Sequence, residues 1–419
     1  MSKNRVVYMS EALYAGPSPA TGLHFVNAQG NKTGIAVVGG EESPAVNQLH
    51  RIQNVGYSFN VSRTDVNQFG ELAAIDRVIL ESPTVSLDFS YLLANFGNEK
   101  VLGFSPLDGT SSCLSGMMSK VSDSRNYFIK TVPEGFDAFN SVRKAGDEVI
   151  SVGNGFLTSY STEGSVGGLP TVSVNVEGLN MAFDSGTGVD GGYDTPAIDP
   201  INGSRLTSKY RLPLTTGDHG TGTLNISVLR PGDISFSITQ RSAQQEGNES
   251  EATDPYAGIG ASIGATDAKI QSYSFNFDLS REAIQKLGNR FSFSREVSYP
   301  VNVSCSVDAI VSDITTGSLS DIINCDDAYD ITVKLSEPDG CAGSTNDVVS
   351  LYKLKNAKLD SQSYTSSIGD NKSVTLDFSA QIGGPNQTNL GFFMSGNNAG
   401  TNGLGQITTY DTAVGDSVD

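Results

Sequence analysis

The chain has 419 residues, a formal net charge of −19 at pH 7 and 17% charged residues. Its 46 glycines, together with abundant Ser, Thr and Asn, are typical of β-rich proteins with many turns. The acidic excess argues against a nucleic-acid-binding protein, because phosphate contacts require Lys and Arg. No apolar run approaches the roughly 20 residues of a transmembrane helix.

The chain begins with a loop-rich arm, residues 1–46, in which Gly34 to Val38 is a short strand candidate. The arm lacks the uninterrupted apolar segment of a signal peptide. Two alternating stretches follow, Arg51 to Ser62 and Val78 to Tyr91, and their period of two predicts half-buried strands. Their connection, SRTDVNQFGELAAID, is far longer than a tight turn. We therefore predict a long hairpin whose tip makes a contact elsewhere.

A glycine- and proline-marked connection, NFGNEKVLGFSPLDG, comes next and leads to a short helix candidate, SSCLSGMMSKV. Leu114, Met117 and Met118 stand at helical spacing in that candidate. Strands are then predicted for RNYFIKTV and for the region from Glu148 to Phe183, where apolar and polar residues again alternate.

An internal repeat is the strongest signal in the sequence. Lys269 to Gly288 aligns with Arg51 to Gly70, and Ile, Gln, Phe, Ser, Arg and the final Gly coincide. YPVNVSCSVDAI, from Tyr299, aligns with SPTVSLDFSYLL, from Ser82. SLSDIINCDDAYDITV aligns with the helix candidate and its following strand, and SSIGDNKSVTLDFSA aligns with GSVGGLPTVSVNVEG. Four blocks in the same order predict two copies of one domain.

The repeat predicts five parts of the chain. They are an N-terminal arm (1–46), a first domain copy (47–183), a connector rich in Gly, Asp and Pro (184–223), a second copy (224–394) and a C-terminal tail (395–419).

Four segments cover most of the first copy: VSRTDVNQFGELAAIDRVILESPTVSLDFSY, NEKVLGF, RNYFIKTV and GNGFLTSYSTEGSVGGLPTVSVNVEGLN. These segments resemble the major tail tube proteins of tailed bacteriophages. The resemblance implies a mainly β chain of two tandem tail-tube-like β-sandwich or barrel domains, each with a short flanking helix and a long β-hairpin loop. It implies a structural virion protein, a major tail tube subunit that self-assembles into stacked rings forming the channel for DNA ejection.

In such proteins the sheets of neighbouring subunits join around a ring, and the hairpin loop packs against the next ring. Some tail tubes are built from doubled subunits that form trimeric rings with pseudo-sixfold symmetry. The tips of both hairpins are therefore the predicted contact between rings. Their residues are Arg63, Asp65, Phe69, Glu71, Leu72, Ile75, Asp76 and Arg77 in the first tip, and Arg281, Lys286 and Arg290 in the second.

The expected partners are other copies of the chain, in homotrimeric rings stacked into a tube, and other tail proteins such as a terminator and a baseplate or tip. DNA is expected to pass through the lumen without specific binding, and no membrane is involved. The protein would belong to the virion tail after assembly in the host cytoplasm. Carboxylates and neutral polar groups suit such a lumen, because charges within the Debye length of about 8 Å act on the passing duplex.

Motifs for chemistry are weak. GASIG, with Ser262, fits the nucleophile-elbow pattern, but every histidine lies upstream of it and no helix is predicted after it. FDSGTG, with Asp184, resembles an aspartic-protease loop, but the equivalent stretch of the second copy has no aspartate to complete the pair. We predict that the protein is not an enzyme.

The connector also carries Asp184, Asp190, Asp194 and Asp199, which are suitable oxygen ligands for Ca²⁺. No EF-hand spacing is present, and a solvated acidic loop is the simpler interpretation. The four cysteines form no CxxC pair, so reduced thiols are expected. We predict no metal site and no cofactor.

A carbohydrate- or receptor-binding β-sandwich protein of a tail tip or cell surface is the alternative interpretation. Such sites present exposed aromatic residues on one cluster of loops. This chain has no Trp and its tyrosines are scattered, which makes the alternative the weaker one.

Overall fold

A computed structural model describes part of the chain. The described residues are 11–18, 37–38, 41–42, 46–94, 96–106, 113–114, 117, 123–133, 136, 138, 147–185, 193–199, 202–206, 209–210, 212, 229–241, 269–289, 291–292, 294–311, 328–336, 348–384, 387 and 390–395. Within them the protein is mainly β, as the composition predicted, and its sheets are antiparallel. The helical elements are α1 (Gly97–Leu102) and a 3-10 turn at Pro231–Asp233.

The strands of the N-terminal part are β1 (Glu11–Pro17), β2 (Val37–Val38), β3 (Glu41–Glu42), β4 (Asn47–Gln48), β5 (Ile52–Asn60), β6 (Thr64–Val66), β7 (Asp76–Val78), β8 (Thr84–Leu92), β9 (Arg125–Thr131), β10 (Glu148–Ser165), β11 (Thr171–Gly178), β12 (Asn180–Ser185), β13 (Tyr193–Asp194) and β14 (Lys209–Tyr210). The remaining strands are β15 (Ile234–Arg241), β16 (Lys269–Asp278), β17 (Arg281–Ile284), β18 (Ser294–Val297), β19 (Val301–Ile310), β20 (Ala328–Ser336), β21 (Val348–Thr365), β22 (Ser373–Ile382) and β23 (Gly391–Ser395).

Two groups of seven strands have the same pairing pattern. In the first group, β10 joins a sheet of order β12-β10-β9-β1 to a sheet of order β10-β11-β8-β5. In the second group, β21 joins β23-β21-β20-β15 to β21-β22-β19-β16. β10 and β21 are each 18 residues long, which is long enough to take part in two sheets.

The two groups are joined by direct strand pairing. β16 of the second group runs antiparallel to β10 of the first, with Tyr160 opposite Phe277 and Ser161 opposite Asn276. The result is one continuous sheet of eight strands, in the order β21-β22-β19-β16-β10-β11-β8-β5. We call this the joined sheet.

One face of the joined sheet packs into the core, and the core is common to both groups. Alternate residues of β8, from Val85 to Tyr91, are buried, as the predicted alternation requires. Aromatic rings cross the junction, because Tyr160 stacks on Phe277 with centroids 5.4 Å apart. Tyr352 of the second group meets Phe96 edge-on at 4.9 Å. Side chains of this size each contribute about 1.5–3 kcal/mol when they leave water.

Local irregularities recur at matching positions of the two groups. Gly70 and Gly288, which the repeat aligns, both have φ of 92°, a turn conformation that favours glycine. Asn154 in β10 and Asn356 in β21 also have positive φ, 50° and 59°. In both cases the backbone amide of the asparagine donates to a side-chain oxygen on the neighbouring strand. The amide of Asn154 donates to Oδ1 of Asn126, and the amide of Asn356 donates to Oδ1 of Asp330.

The strand pairing corrects the repeat alignment by one residue. The sequence placed Ser82 over Tyr299, which puts Val85 over Asn302. In the structure Val85 lies opposite Phe59 and Val303 lies opposite Phe277, so Val85 corresponds to Val303. A slip of one residue exchanges the two faces of a strand, and the buried valines fix the register.

Several predicted boundaries also differ from the structure. The arm contains β1, whose residues Ala12 to Gly16 are buried and which pairs along β9, so this part of the arm belongs to the first group. Helix α1 lies in the segment that was predicted to be an irregular connection. Part of the connector is not a solvated loop, because Thr195 and Ala197 are fully buried. Most of the predicted helix SSCLSGMMSKV, its counterpart before β20 and residues 396–419 of the C-terminal tail lie outside the described residues.

Candidate functional site

The outer face of the joined sheet is lined by short polar and acidic side chains. Period-two alternation places them opposite the buried residues of the same strands. We call this set the polar face; its residues are Ser86, Asp88, Ser90, Ser159, Ser161, Glu163, Ser173, Asn175, Glu177, Ser272, Ser274, Asn276, Asp278, Ser304, Ser306, Asp308, Thr375, Asp377 and Ser379. The set includes carboxylates and no Lys or Arg; Lys269 begins β16, and Lys358 lies opposite Ser379 where the pairing of β21 with β22 begins.

Hydroxyl groups hold two of these carboxylates from both neighbouring strands. Asp377 accepts hydrogen bonds from the hydroxyls of Ser306 at 2.7 Å and Ser361 at 2.6 Å. Asp308 accepts from Ser272 at 2.7 Å and Thr375 at 2.5 Å. Hydrogen bonds to ionised acceptors are among the stronger ones in proteins. The polar face therefore orders its negative charge through hydroxyls in these four contacts rather than through basic side chains.

The two ends of the joined sheet are strand edges. β5 is paired with β8, and the part of β21 from Lys358 to Thr365 is paired with β22. Within the described part of the chain, neither segment has a strand on its other side. Phe59 of β5 is 59% exposed, whereas Phe277, its counterpart in the internal repeat, is 1% exposed beside β10. Phe59 is thus an apolar residue left exposed at the sheet edge, whereas Phe277 is buried where β16 pairs with β10.

The first hairpin tip exposes all eight of its predicted contact residues, in a small two-stranded sheet, in the turn that joins its strands and at its base. β6 and β7 pair with each other, and Arg77 lies opposite Asp65 with its Nε 2.6 Å from Oδ1. Phe69 and Leu72 are fully exposed at the turn, and Ile75 is half exposed. Arg63, Glu71 and Asp76 are also exposed. Fully exposed large apolar side chains at a loop tip are typical of an interaction surface.

The second hairpin tip places its three predicted residues differently. Lys286 is exposed beside the fully exposed Leu287, at the turn between β17 and β18. Arg290 lies outside the described residues. Arg281 is not at the exposed tip, because its side chain is 5% exposed and forms an ion pair with Asp123 at 2.6 Å. Its assignment to a contact between rings is therefore corrected to a contact within the chain.

A buried acidic group lies where the two strand groups meet. Glu99 of α1 is fully buried and accepts hydrogen bonds from the hydroxyls of Tyr91 at 2.7 Å and Tyr160 at 3.1 Å. The Tyr160 hydroxyl also lies 2.9 Å from the Tyr352 hydroxyl of the second group. Burial raises the pKa of Glu99 from 4.5 to about 7, against the opposing effects of the tyrosine hydrogen bonds and of Arg51. This cluster was not predicted, because the segment that forms α1 was interpreted as an irregular connection.

Of the motif residues weighed for chemistry, the structure describes Asp184, Asp194 and Asp199. Asp184 accepts a hydrogen bond from the backbone amide of Asp194 at 3.0 Å, which is a structural role. Ser262 and Asp190 lie outside the described residues. Among the described residues, no group of three or more His, Cys, Asp or Glu side chains is placed to hold a metal ion. Nor is any helix of that part of the chain long and apolar enough to cross a membrane.

Comparison with models of known protein families gives no match to this chain. Comparison with curated proteins gives no match either. Three features of the chain therefore bear on its function: the polar face, the two strand edges and the hairpin tips.

Proposed function

We propose that this chain is a major tail tube subunit of a tailed bacteriophage, which forms rings that stack into the channel for DNA ejection. The observation that carries the proposal is the pairing of β10 with β16. This pairing joins two four-stranded sheets and leaves the same two kinds of strand at the ends of the joined sheet. The chain therefore contains one example of the contact that would link it to its neighbours.

The proposal includes two copies of one tube domain in the chain. Its support is the shared pairing order of the two strand groups and the matching irregularities at Gly70 and Gly288, and at Asn154 and Asn356. Under this proposal β5 corresponds to β16, and β21 corresponds to β10. The first copy then begins with β1 rather than at residue 47.

Ring closure follows if β21 of one chain pairs with β5 of the next as β10 pairs with β16. The internal register places Ser161 opposite Asn276 and Tyr160 opposite Phe277. Transferred to the edges, it places Ser363 opposite Ser58 and Gln362 opposite Phe59. Such a contact is heterologous, and it closes into a ring when the rotation between chains allows. It would also cover an edge that otherwise invites uncontrolled strand pairing.

Sheet dimensions favour three chains in a ring. Strands lie about 4.8 Å apart, so two chains would give a backbone diameter of about 25 Å and three chains about 37 Å, before strand tilt widens both. Side chains from opposite walls occupy part of that width. Three chains leave a channel for a hydrated duplex, and their six domain copies give pseudo-sixfold symmetry.

In this arrangement the polar face lines the lumen. Its carboxylates repel phosphate groups, and its hydroxyls carry no charge that would hold them. The residues that define the polar face include no ammonium or guanidinium group for DNA to bind. The duplex would pass within about 8 Å of the wall, which is inside the Debye length at physiological salt. Non-specific DNA binding depends on Lys and Arg contacts, so the polar face suits transit without retention.

The hairpin tips would connect one ring to the next. The exposed Phe69, Leu72 and Leu287 are suited to burial against another ring. Further partners under this proposal are the tail proteins that end the tube, namely a terminator and a baseplate or tip. The protein would then reside in the virion tail after assembly in the host cytoplasm.

Electron microscopy of the purified full-length protein tests the proposal. Rings or tubes with a central channel are the expected result, with threefold symmetry in end views. Monodisperse monomers at every concentration and salt condition would contradict the proposal.

A further inference from the structure

The base of the second hairpin is fastened to the first strand group by Arg281. Its Nε donates to the Leu157 carbonyl at 3.0 Å, and its Nη2 lies 2.6 Å from the Asp123 carboxylate. The guanidinium carbon also lies 5.1 Å from the centre of the Phe156 ring. These partners belong to β10 and to the residues before β9, so the arginine spans the junction between the two groups. We call this contact the arginine clamp.

A second arginine supports the clamp. Nη1 of Arg295 in β18 lies 2.6 Å from the Glu177 carboxylate of β11, and its guanidinium is also near the Phe156 ring, at 6.0 Å. Nη1 of Arg281 donates to the Arg295 carbonyl at 3.1 Å. The second hairpin is therefore held at its base by two arginines, while its turn remains exposed.

The first hairpin has arginines at the same two positions, and both are exposed. The repeat aligns Arg63 with Arg281 and Arg77 with Arg295. The pairing of Asp65 with Arg77 corresponds to that of Ala283 with Arg295, which confirms the alignment on both sides of the tip. Among the described residues no strand lies beyond the edge strand β5, which carries the first hairpin, so in the proposed ring the equivalent of the strand that holds Arg281 comes from another molecule.

We propose that Arg63 is a lateral clamp, which fastens the first hairpin to β21 of the neighbouring chain in the same ring. Its acceptor is the Leu359 carbonyl. Leu157 and Leu359 occupy matching positions, since the register with the next strand shifts between Leu157 and Ser159 in β10 and between Leu359 and Ser361 in β21. The inference rests on the proposed ring and changes the role of Arg63 from a contact between rings to a contact within one.

Residue differences around Arg77, the equivalent of Arg295, agree with a clamp formed by Arg63 alone. Glu177, which binds Arg295, corresponds to Ser379, so β22 has no carboxylate for Arg77 at that place. Arg77 is instead paired within its own hairpin with Asp65, where the second hairpin has Ala283. Arg77 thus has an internal partner, and Arg63 is the residue left to reach across.

The test compares Arg63→Ala with Arg77→Ala in the full-length protein. We expect Arg63→Ala to keep the thermal unfolding midpoint of the monomer and to raise the concentration needed for ring formation by about tenfold or more, because a charge-assisted contact across an interface is lost. Arg77→Ala is expected to change that concentration far less. Ring formation is followed by light scattering and by electron microscopy.

Each alternative outcome is distinguishable. Normal ring formation by Arg63→Ala would overturn the lateral clamp and leave the proposed function standing. Closed rings of Arg63→Ala that fail to stack would also overturn it, because they would place Arg63 between rings. If the unaltered protein forms no rings, the proposed function fails, and the clamp fails with it. As a positive control, Arg281→Ala is expected to lower the unfolding midpoint, since its clamp already exists within the chain.

Discussion

Glu99 is an ionisable residue that the core tolerates in its neutral form. The groups that face it are Tyr91, Tyr160, Tyr352 and Arg51, and the two nearest hydroxyls donate to its carboxyl group. Because its pKa is about 7 in the folded protein and 4.5 in the reference state, folding favours the protonated form. The stabilising effect is complete below pH 4.5 and is lost as the pH rises through about 7.

A Glu99→Gln variant tests this sign. Glutamine keeps an oxygen that can accept from Tyr91 and Tyr160 but carries no charge at any pH. We expect the variant to be more stable than the original protein at about pH 8, by up to about 3 kcal/mol, and this advantage to shrink towards about pH 5. Thermal unfolding at several pH values measures the difference. A constant difference across this range would show that Glu99 does not titrate there.

The two left-handed asparagines form a matched pair for a second prediction. The Asn154 side chain accepts from the Ile198 amide at 2.9 Å, in addition to having positive φ. The contact described for Asn356 involves its backbone amide and Asp330. Asn356→Gly should therefore be neutral or slightly stabilising, because glycine adopts positive φ without strain. Asn154→Gly should cost about 1 kcal/mol through the lost hydrogen bond.

The Asn356→Val variant completes that comparison. A β-branched side chain is strained at positive φ, so Asn356→Val should be destabilising by about 1–3 kcal/mol. The thermal unfolding midpoints of the three variants give their order of stability. Equal midpoints for Asn356→Gly and Asn356→Val would contradict a left-handed conformation at this position.

At the scale of elements, alternation in the sequence predicted the strands whose two faces differ. Thr84 to Leu92 is such a strand, since its apolar residues are buried and its polar ones face outward. The same rule could not find α1, in which Asn98 and Glu99 are buried with hydrogen-bonded side chains rather than through apolar character. It also missed β1, which is buried on both faces and shows no alternation. The junction of β10 with β16 joins distant segments, and no local pattern encodes it.

In the candidate site, the exposed hairpin tip could be predicted from the sequence, whereas the environment of Arg281 could not. Phe69 and Leu72 are apolar residues within a polar connection, and this contrast marks an exposed tip in the sequence. The partners of Arg281 are a carbonyl and a carboxylate far away along the chain, so its burial could not be predicted locally. The unequal environments of Arg63 and Arg281 emerge only when strand order is known.

Deletion of the first tip, residues 65–76, tests the role of that element. The tip pairs only within itself among the described residues, so its removal should leave the joined sheet and the core intact. We expect a folded protein with a near-native circular dichroism spectrum that fails to form long tubes. A milder variant, Phe69→Ser with Leu72→Ser, should show the same assembly defect. An unfolded deletion protein would mean that the tip contributes to the core.

At the scale of the whole molecule, the pairing of β10 with β16 is present once within the chain, and the proposed ring would form the same contact a second time between chains. Inside the chain, β10 covers Phe277, and its counterpart Phe59 stays exposed on β5. Covering Phe59 with β21 of a neighbour would contribute about 2 kcal/mol from this side chain alone. Under the proposed duplication, a chain with one internal junction and two complementary edges has all of its edges paired only in a closed ring.

Disulfide trapping tests this closure and its register. Directly opposed residues of antiparallel strands have Cβ atoms about 5 Å apart, within reach of a disulfide after small adjustments. Because the proposed register places Ser58 opposite Ser363, the double variant Ser58→Cys with Ser363→Cys should form intermolecular disulfides on oxidation of assembled rings. Covalent products should end at a closed trimer.

The pair Asn54→Cys with Ser363→Cys lies out of register and should react poorly, and each single variant controls for the native thiols. Tubes that assemble without the in-register disulfide would reject the pairing of β5 with β21, and covalent ladders longer than three chains would reject the three-chain ring.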